Sequence, residues 1–169
     1  MSEQEKSLYM TVLMTPEMAN FSGRVHGGHI LRLLDQVAFA CAARYCKNYV
    51  VTISLDQVTF KAPINVGDLV SFRAHVNYVG KTSMEVGVKV IAEDLHTKEK
   101  RHTNSGYLTM VAVDDNGKPT AVPPLELNTE FEKKLYEAAL MRKQMREEVI
   151  RKNMEITAGI PEYNAEIHS

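Results

Sequence analysis

Two adjacent glycines before an apolar helix, with one carboxylate inside that helix, form the part of the sequence best suited to chemistry. Gly27 and Gly28 end a short loop, and Asp35 follows about two helical turns later. Consecutive glycines let a ligand approach the backbone closely, and free amides at a helix start carry the positive end of its dipole. Such amides bind an oxyanion, while Asp35 activates water or attacks a carbonyl directly. The pattern favours hydrolysis of an ester or thioester.

The helical face shows why Asp35 stands out. Apolar residues recur at the three-and-four spacing of one buried face, and Asp35 falls roughly 110° from its centre, among apolar neighbours. The alternative to a catalytic role is a structural one, in which Asp35 forms a salt bridge with Arg32 or Arg44 and the two glycines only allow the helix to pack against a strand. The apolar face consists of Ile30, Leu33, Leu34, Val37, Ala38, Cys41, Ala42 and Tyr45.

Other candidate groups have weaker support. His26 and His29 are three residues apart, but no third ligand follows at metal-binding spacing, so we expect no metal site. Neither Ser22 nor Ser105 lies in a Gly-x-Ser-x-Gly elbow, and no phosphate-binding glycine pattern occurs. Asp56 is a second carboxylate within a strand, for which we expect an outward or paired position.

Length and charge limit the function classes. The chain has 169 residues and a net charge of −1, which suits one domain with a real core. We do not expect nucleic acid as the main partner, because the first two thirds of the sequence contain no long basic run. The densest basic patch, at residues 98–102, is either a solvated strand end or an anion-binding segment.

The remaining global signals concern location. No apolar run has transmembrane length, and residues 1–6 lack the layout of a signal peptide, so we expect a cytoplasmic protein with no membrane partner. Cys41 and Cys46 are spaced for neither metal nor redox chemistry, and we expect reduced packing residues.

Hydrophobic periodicity predicts one helix followed by a run of strands. Because a helix that is apolar on most sides must be covered on most sides, we expect an α+β fold in which a curved antiparallel sheet wraps around it, the hot-dog arrangement. The predicted helix spans about residues 28–47, and the predicted strands span residues 8–13, 49–60, 69–78, 83–92 and 103–113.

A second helix follows this domain. Thr129 and Glu132 form a capping-box pattern that begins a charged helix ending near Asn153. Its thin apolar stripe is suited to docking on the domain or on another subunit. We therefore divide the chain into a domain of residues 1–124 and a helical extension of residues 125–169, whose last nine residues form a loose tail. The stripe consists of Phe131, Leu135, Ala138, Met145 and Val149.

Four separated motifs resemble the acyl-CoA thioesterase family of hot-dog proteins. This family includes bacterial cytosolic acyl-CoA hydrolases and each half of the tandem mammalian cytosolic enzyme, and the resemblance covers about residues 8–124. The motifs are Asn20-x-x-Gly23-x-x-His26-Gly27-Gly28; Asp35; Val58-Thr59-Phe60-x-x-Pro63-x-x-x-Gly67-Asp68; and Gly80-x-Thr82-Ser83-Met84-x-Val86.

The resemblance implies a hydrolase that releases free fatty acid and coenzyme A (CoA), without metal or organic cofactor. It implies a homodimer, assembled further into a trimer of dimers, with acyl-CoA lying across the dimer interface. Asp35 is then the general base or nucleophile, Asn20 holds the water or the thioester, and the amides of Gly27 and Gly28 form the oxyanion site. The residues implied near the substrate are His26, Lys61, Gly80, Lys81, Thr82 and Ser83.

Two other functions are alternatives to hydrolysis. An enoyl-thioester hydratase on the same fold needs an acid–base pair over the acyl carbons, whereas a single carboxylate suits water attack on a carbonyl better. A non-enzymatic acyl-CoA or nucleotide sensor is supported only by the charged C-terminal helix.

Overall fold

The first compact unit is a five-stranded antiparallel sheet with one long helix. The structure, a computed structural model, describes residues 4–160, and the chain divides into two compact units between Glu126 and Leu127. The elements of the first unit are β1 (Ser7–Leu13), a single 3-10 turn (Pro16–Met18), α1 (Gly27–Cys46), β2 (Tyr49–Phe60), β3 (Leu69–Val79), β4 (Ser83–Glu93) and β5 (Lys100–Val113). The second unit contains α2 (Glu130–Thr157).

The sheet has the strand order β1-β3-β4-β5-β2, and α1 packs against all five strands. The predicted hot-dog arrangement is therefore confirmed. All eight residues of the predicted apolar face of α1 are buried, together with Cys46, because the sheet covers the helix along this face. β1 and β2 are the two edge strands.

Local signals set the ends of α1. His26 caps its first turn with a side-chain hydrogen bond, and Lys47 ends the helix in the left-handed conformation with φ of 57°. Each end lies one residue earlier than predicted from periodicity, a shift within the usual uncertainty of helix ends.

Edge strand β2 has two irregularities and many exposed apolar side chains. Its register against β5 shifts at Ile53 and again between Asp56 and Thr59, where Gln57 has a positive φ of 43°. Ile53 is 62% exposed although it is strongly apolar. An open edge of this kind is suited to pairing with another strand. The other exposed apolar residues of β2 are Tyr49, Val51, Leu55 and Phe60.

The Gly67-Asp68 motif has a structural role. Gly67 turns the chain with φ of 91°, and the buried Asp68 carboxylate accepts hydrogen bonds from Arg101 at 2.6 Å and from the Asn65 amide at 2.9 Å. Arg101 belongs to the basic patch at residues 98–102, so this part of the patch is held in an ion pair rather than open to an anion.

The two cysteines are free and buried, in agreement with their predicted role as packing residues. Burial raises the pKa of the Cys41 thiol to about 12, which keeps it protonated and unreactive near neutral pH. No helix within residues 4–160 is both long and apolar enough to cross a membrane.

The capping box predicted for α2 is confirmed: the Glu132 amide donates to Thr129 Oγ1, and the Thr129 amide donates to the Glu132 carboxylate. The helix continues to Thr157, beyond its predicted end. Phe131, Met145 and Val149 of its apolar stripe are exposed. The predicted loose tail, residues 161–169, lies outside the described residues.

We predict that Asp68→Ala lowers the free energy of unfolding by about 3 kcal/mol, because it leaves the Arg101 guanidinium without its buried partner. Urea unfolding at one fixed protein concentration measures the change. Lys133→Ala is the matched control, since it breaks an exposed ion pair with Glu130 and should cost less than about 0.5 kcal/mol. Equal effects of the two substitutions would contradict a structural role for Asp68.

Candidate active site

The loop before α1 is organised by the side chain of Asn20. Its Oδ1 accepts hydrogen bonds from the Ser22 amide at 2.9 Å, the Ser22 hydroxyl at 2.7 Å and the Arg24 amide at 3.2 Å. Gly23, with φ of 77°, completes the turn by donating its amide to the Asn20 carbonyl. This accounts for the Asn-x-x-Gly spacing. Among residues 4–160, nothing accepts a hydrogen bond from the Asn20 amide group, so its N–H groups remain available.

Only one of the two glycine amides in the first turn of α1 is free within the described part of the chain. The Gly28 amide donates to His26 Nδ1 at 2.9 Å, so the expectation that both glycine amides are free is wrong at Gly28. The physical reason is that a histidine at the N-cap position satisfies an orphan donor of the helix. The Gly27 amide has no acceptor within the described part of the chain. His26 is thus a helix cap in this structure.

A cleft of about 310 Å³ brings together three of the predicted site residues, Asn20, Gly27 and Lys61. The Phe60 ring covers Gly27: a β-carbon at Gly27 would lie 3.4 Å from the ring. This distance is an ordinary van der Waals contact, so Gly27 and the Phe60 ring pack directly against each other. The remaining lining residues are Arg24, Val25, Ile30, Phe60, Ala62, Pro63 and Ile64.

His26 and Gly28 line a second cleft, of about 350 Å³. Glu17, His29 and Arg32 also contribute to it. Neither Lys61 nor Asn20 lines this second cleft. The five residues expected close to the substrate in this region are therefore divided between two clefts, with His26 and Gly28 in the second.

Asp35 is exposed and is held by a residue that the sequence did not reveal. Thr52 Oγ1, on β2, donates to Asp35 Oδ1 at 2.6 Å. No salt bridge from Asp35 to Arg32 or Arg44 occurs, and Arg44 instead bonds Glu5 and the Ser7 carbonyl. The exposed carboxylate thus stays in place through a neutral hydroxyl, with its second oxygen free of any described hydrogen bond.

The predicted residues form two groups in one chain. Asp35 lies eight residues beyond Gly27, about 12 Å along the helix, and does not line the cleft that contains Asn20. The turn of Gly80, Lys81, Thr82 and Ser83 joins β3 to β4. Ser83 pairs with Val111 on β5, and Val111 pairs with Val51 on β2, next to Thr52. This turn therefore lies at the Thr52 end of β2.

The turn is accordingly remote from the first cleft. Phe60 pairs with Asn104, which lies seven residues before Val111 on β5, about 23 Å along the strand. Lys61 and the Gly80–Ser83 turn, both expected to bind CoA, therefore belong to opposite ends of one sheet.

Comparison with known proteins identifies the family. A profile of the thioesterase superfamily matches residues 22–99. Protein VdlD of Helicobacter pylori is 56% identical over 82% of this chain and 79% of its own length. An uncharacterized acyl-CoA thioester hydrolase of Bacillus subtilis, YkhA, is 39% identical over 82% of this chain and 81% of its own.

Solved structures are similar in fold as well as in sequence. An apo-hexameric acyl-CoA thioesterase is 40% identical with a TM-score of 0.83, over 86% of this chain and 94% of its own. The acyl-CoA hydrolase of Staphylococcus aureus, solved with butyryl coenzyme A and coenzyme A, is 32% identical with a TM-score of 0.80, over 91% and 96%.

Structures of three alanine variants of the S. aureus enzyme provide a further parallel. They replace an asparagine, an aspartate and a threonine whose separations along that chain equal those between Asn20, Asp35 and Thr52 here. With relatives of this identity and coverage, the chain belongs to the thioesterase superfamily, among its acyl-CoA thioester hydrolases.

Proposed function

We propose that this protein hydrolyses acyl-CoA thioesters to a free fatty acid and CoA, at a site shared between two copies of the chain. One observation carries the proposal: Asp35 is an exposed carboxylate beside the buried apolar face of α1, fixed by Thr52. The reaction needs no metal or organic cofactor in this scheme, since CoA enters as part of the substrate. The free, buried cysteines fit a reducing cytoplasm as its location.

Asp35 is the general base or the nucleophile. As a base, it takes a proton from water while the oxygen of that water forms a bond to the thioester carbon. The C–S bond then breaks, and the departing thiolate receives the proton back from Asp35. Thr52 fixes the orientation of the carboxylate through one oxygen, which leaves the other oxygen to face the water.

Gly27 and Asn20 stabilise the charge that develops on the thioester oxygen. Each has N–H groups without an acceptor among residues 4–160. The Asn20 oxygen is already engaged by three donors, so the side chain interacts with the substrate only as a donor. A donor to the attacking water would weaken its nucleophilicity, whereas a donor to the carbonyl oxygen promotes attack.

A second copy of the chain supplies the missing half of each site. Asn20 and Gly27 lie in the cleft at the Phe60 end of β2, and Asp35 lies at the Thr52 end. Antiparallel pairing of β2 with its own copy, centred within residues 55–57, would set each Phe60 opposite the other Thr52. It would also cover the exposed apolar edge of β2.

The same pairing accounts for the two groups of expected CoA-binding residues. Lys61 lies in the cleft with Asn20, while Gly80, Lys81, Thr82 and Ser83 lie near the Asp35 end of the sheet. Across a two-fold axis, Lys61 of one chain approaches the turn of the other, and Lys61 and Lys81 provide charges for the phosphates of CoA. Further assembly into a trimer of dimers is proposed by analogy with the hexameric relative.

We predict that Asp35→Asn lowers kcat at least 100-fold, because the amide is nearly isosteric but cannot act as a base. Steady-state hydrolysis of a series of acyl-CoAs measures the loss, and circular dichroism checks the fold. Asp115→Asn, which changes an exposed carboxylate in the turn after β5, outside the proposed site and the proposed β2 pairing, is the matched control and should retain kcat. A folded Asp35→Asn protein with wild-type kcat would remove Asp35 from the mechanism.

Two substitutions separate the loop role of Asn20 from its role as a donor. Asn20→Asp keeps an oxygen for the Ser22 and Arg24 amides but loses the N–H groups, whereas Asn20→Ala loses both. We expect both to lower kcat by about 100-fold. Hydrogen exchange should show loss of protection at Ser22 and Arg24 only in Asn20→Ala. Wild-type kcat in Asn20→Asp would restrict Asn20 to holding the loop.

Mixing two inactive variants tests the shared site. Asn20→Ala and Asp35→Ala, refolded together, form mixed dimers that contain one complete site and one doubly defective site. Random pairing makes half of the dimers mixed, so activity should recover to roughly a quarter of wild type. Each variant refolded alone is the control. No recovery, with mixed dimers confirmed by mass spectrometry, would place both residues in a single-chain site.

A further inference from the structure

The Asn104 side chain is buried, and residues 4–160 offer it no hydrogen-bond partner. It is 0% exposed, and neither its Oδ1 nor its Nδ2 has a partner within the described part of the chain. Each unsatisfied buried polar atom costs about 1–3 kcal/mol, so such a side chain in a native core calls for a physical reason. No pattern in the sequence indicates this, because Asn104 lies in an ordinary strand between Thr103 and Ser105.

Asn104 belongs to the face of the sheet that packs on α1. Two residues further along β5, a β-carbon at Gly106 would lie 3.8 Å from Leu34 of α1, so this face of β5 points at the helix. The strand pairings place Asn104 in a row across the sheet in which every other member is apolar. That row consists of Met10, Phe72, Val90, Asn104 and Phe60.

Asn104 also lies directly behind the cleft of the proposed active site. Its cross-strand neighbour is Phe60, whose half-exposed ring lines the cleft and covers Gly27. Directly opposed residues on one face of a sheet have their β-carbons about 5 Å apart. A rotation of the Phe60 side chain away from Gly27 would therefore open the cleft toward the carboxamide of Asn104.

We propose that Asn104 determines acyl-group specificity by binding a hydroxyl group on a short acyl chain, once the substrate has displaced the Phe60 ring. This inference rests on the proposed function, in which the thioester carbonyl lies at Gly27. A hydroxyl both donates and accepts, so it satisfies Oδ1 and Nδ2 together, which an alkyl chain does not. The favoured substrates are short hydroxyacyl-CoAs, with the hydroxyl a few bonds from the thioester.

The length of the chain follows from the same geometry. A longer alkyl chain would have to pass the polar carboxamide, leaving it unsatisfied beside methylene groups. A pocket that hydrogen-bonds a substrate group discriminates strongly against analogues lacking that group. Asn104 is thus a binding residue that selects the acyl group rather than a participant in bond breaking.

The test compares kcat/KM of the full-length protein for 3-hydroxybutyryl-CoA, 4-hydroxybutyryl-CoA and butyryl-CoA. We expect the better hydroxylated substrate to exceed butyryl-CoA about tenfold, the value of one good hydrogen bond. Asn104→Leu replaces the side chain by an apolar one of similar volume. In this variant the ratio of kcat/KM for the hydroxylated substrate to that for butyryl-CoA should fall to one or below. The kcat/KM for the hydroxylated substrate should fall, and the kcat/KM for butyryl-CoA and hexanoyl-CoA should rise. Thr103→Val is the matched control, since the buried Thr103 hydroxyl already contacts the Val90 carbonyl, and it should leave the ratio unchanged.

The outcomes separate this inference from the proposed function. Hydrolysis of butyryl-CoA with no preference for either hydroxylated substrate in the wild-type protein would overturn the role of Asn104 alone. An unchanged ratio in folded Asn104→Leu would also overturn it, and would indicate that the carboxamide binds an internal water instead of the substrate. If Asn104→Leu does not fold, Asn104→Ala is measured in its place and should lower the ratio in the same way. Absence of hydrolysis with every acyl-CoA would instead refute the proposed function.

Discussion

The covering of one helix by one sheet is the constraint on which the rest of this structure depends. α1 is buried along its apolar face by all five strands, and a five-stranded sheet does not close around it. An edge therefore remains at β2, and Asp35 and Thr52 lie beside that edge. The carboxylate is exposed because the sheet ends there, although Leu31 and Phe39, one turn before and after it, are apolar. The proposed shared site fits this constraint, since a second molecule paired with β2 would enclose this flank.

The sequence predicted the elements well because they depend on local periodicity. The apolar face of α1, the alternation of β3 and β4 and the capping box at Thr129 are each encoded within a few residues, and each occurs as predicted. The irregularities of β2 were not predicted. The register shift at Ile53 and the positive φ at Gln57 carry no glycine or proline signal, and they depend on pairing with β5.

The sequence motifs named Asn20, the glycines and Asp35 without showing what these residues contact. The turn that Asn20 holds through the Ser22 and Arg24 amides was not predicted, and it appears only in the structure. Thr52 was missed because its hydroxyl reaches Asp35 only through the register of β2 against the helix. The capture of the Gly28 amide by His26 was missed because the same spacing suits both a free amide and a capped one. The Asn104 carboxamide, which has no partner among residues 4–160, was not predicted because no sequence pattern indicates it.

Polar groups that have hydrogen-bond partners differ in their role from those that have none. Asp68 and His26 have partners within the chain, and each stabilises a turn or a helix end. The Asn20 amide group and the Gly27 amide lack partners among residues 4–160 and face the same cleft. Groups left unpaired toward a cleft are arranged in advance for a ligand, and holding them in place costs nothing further when the ligand arrives. Thr52 fits this scheme, because a neutral hydroxyl orients the carboxylate without the competing charge that an arginine would introduce.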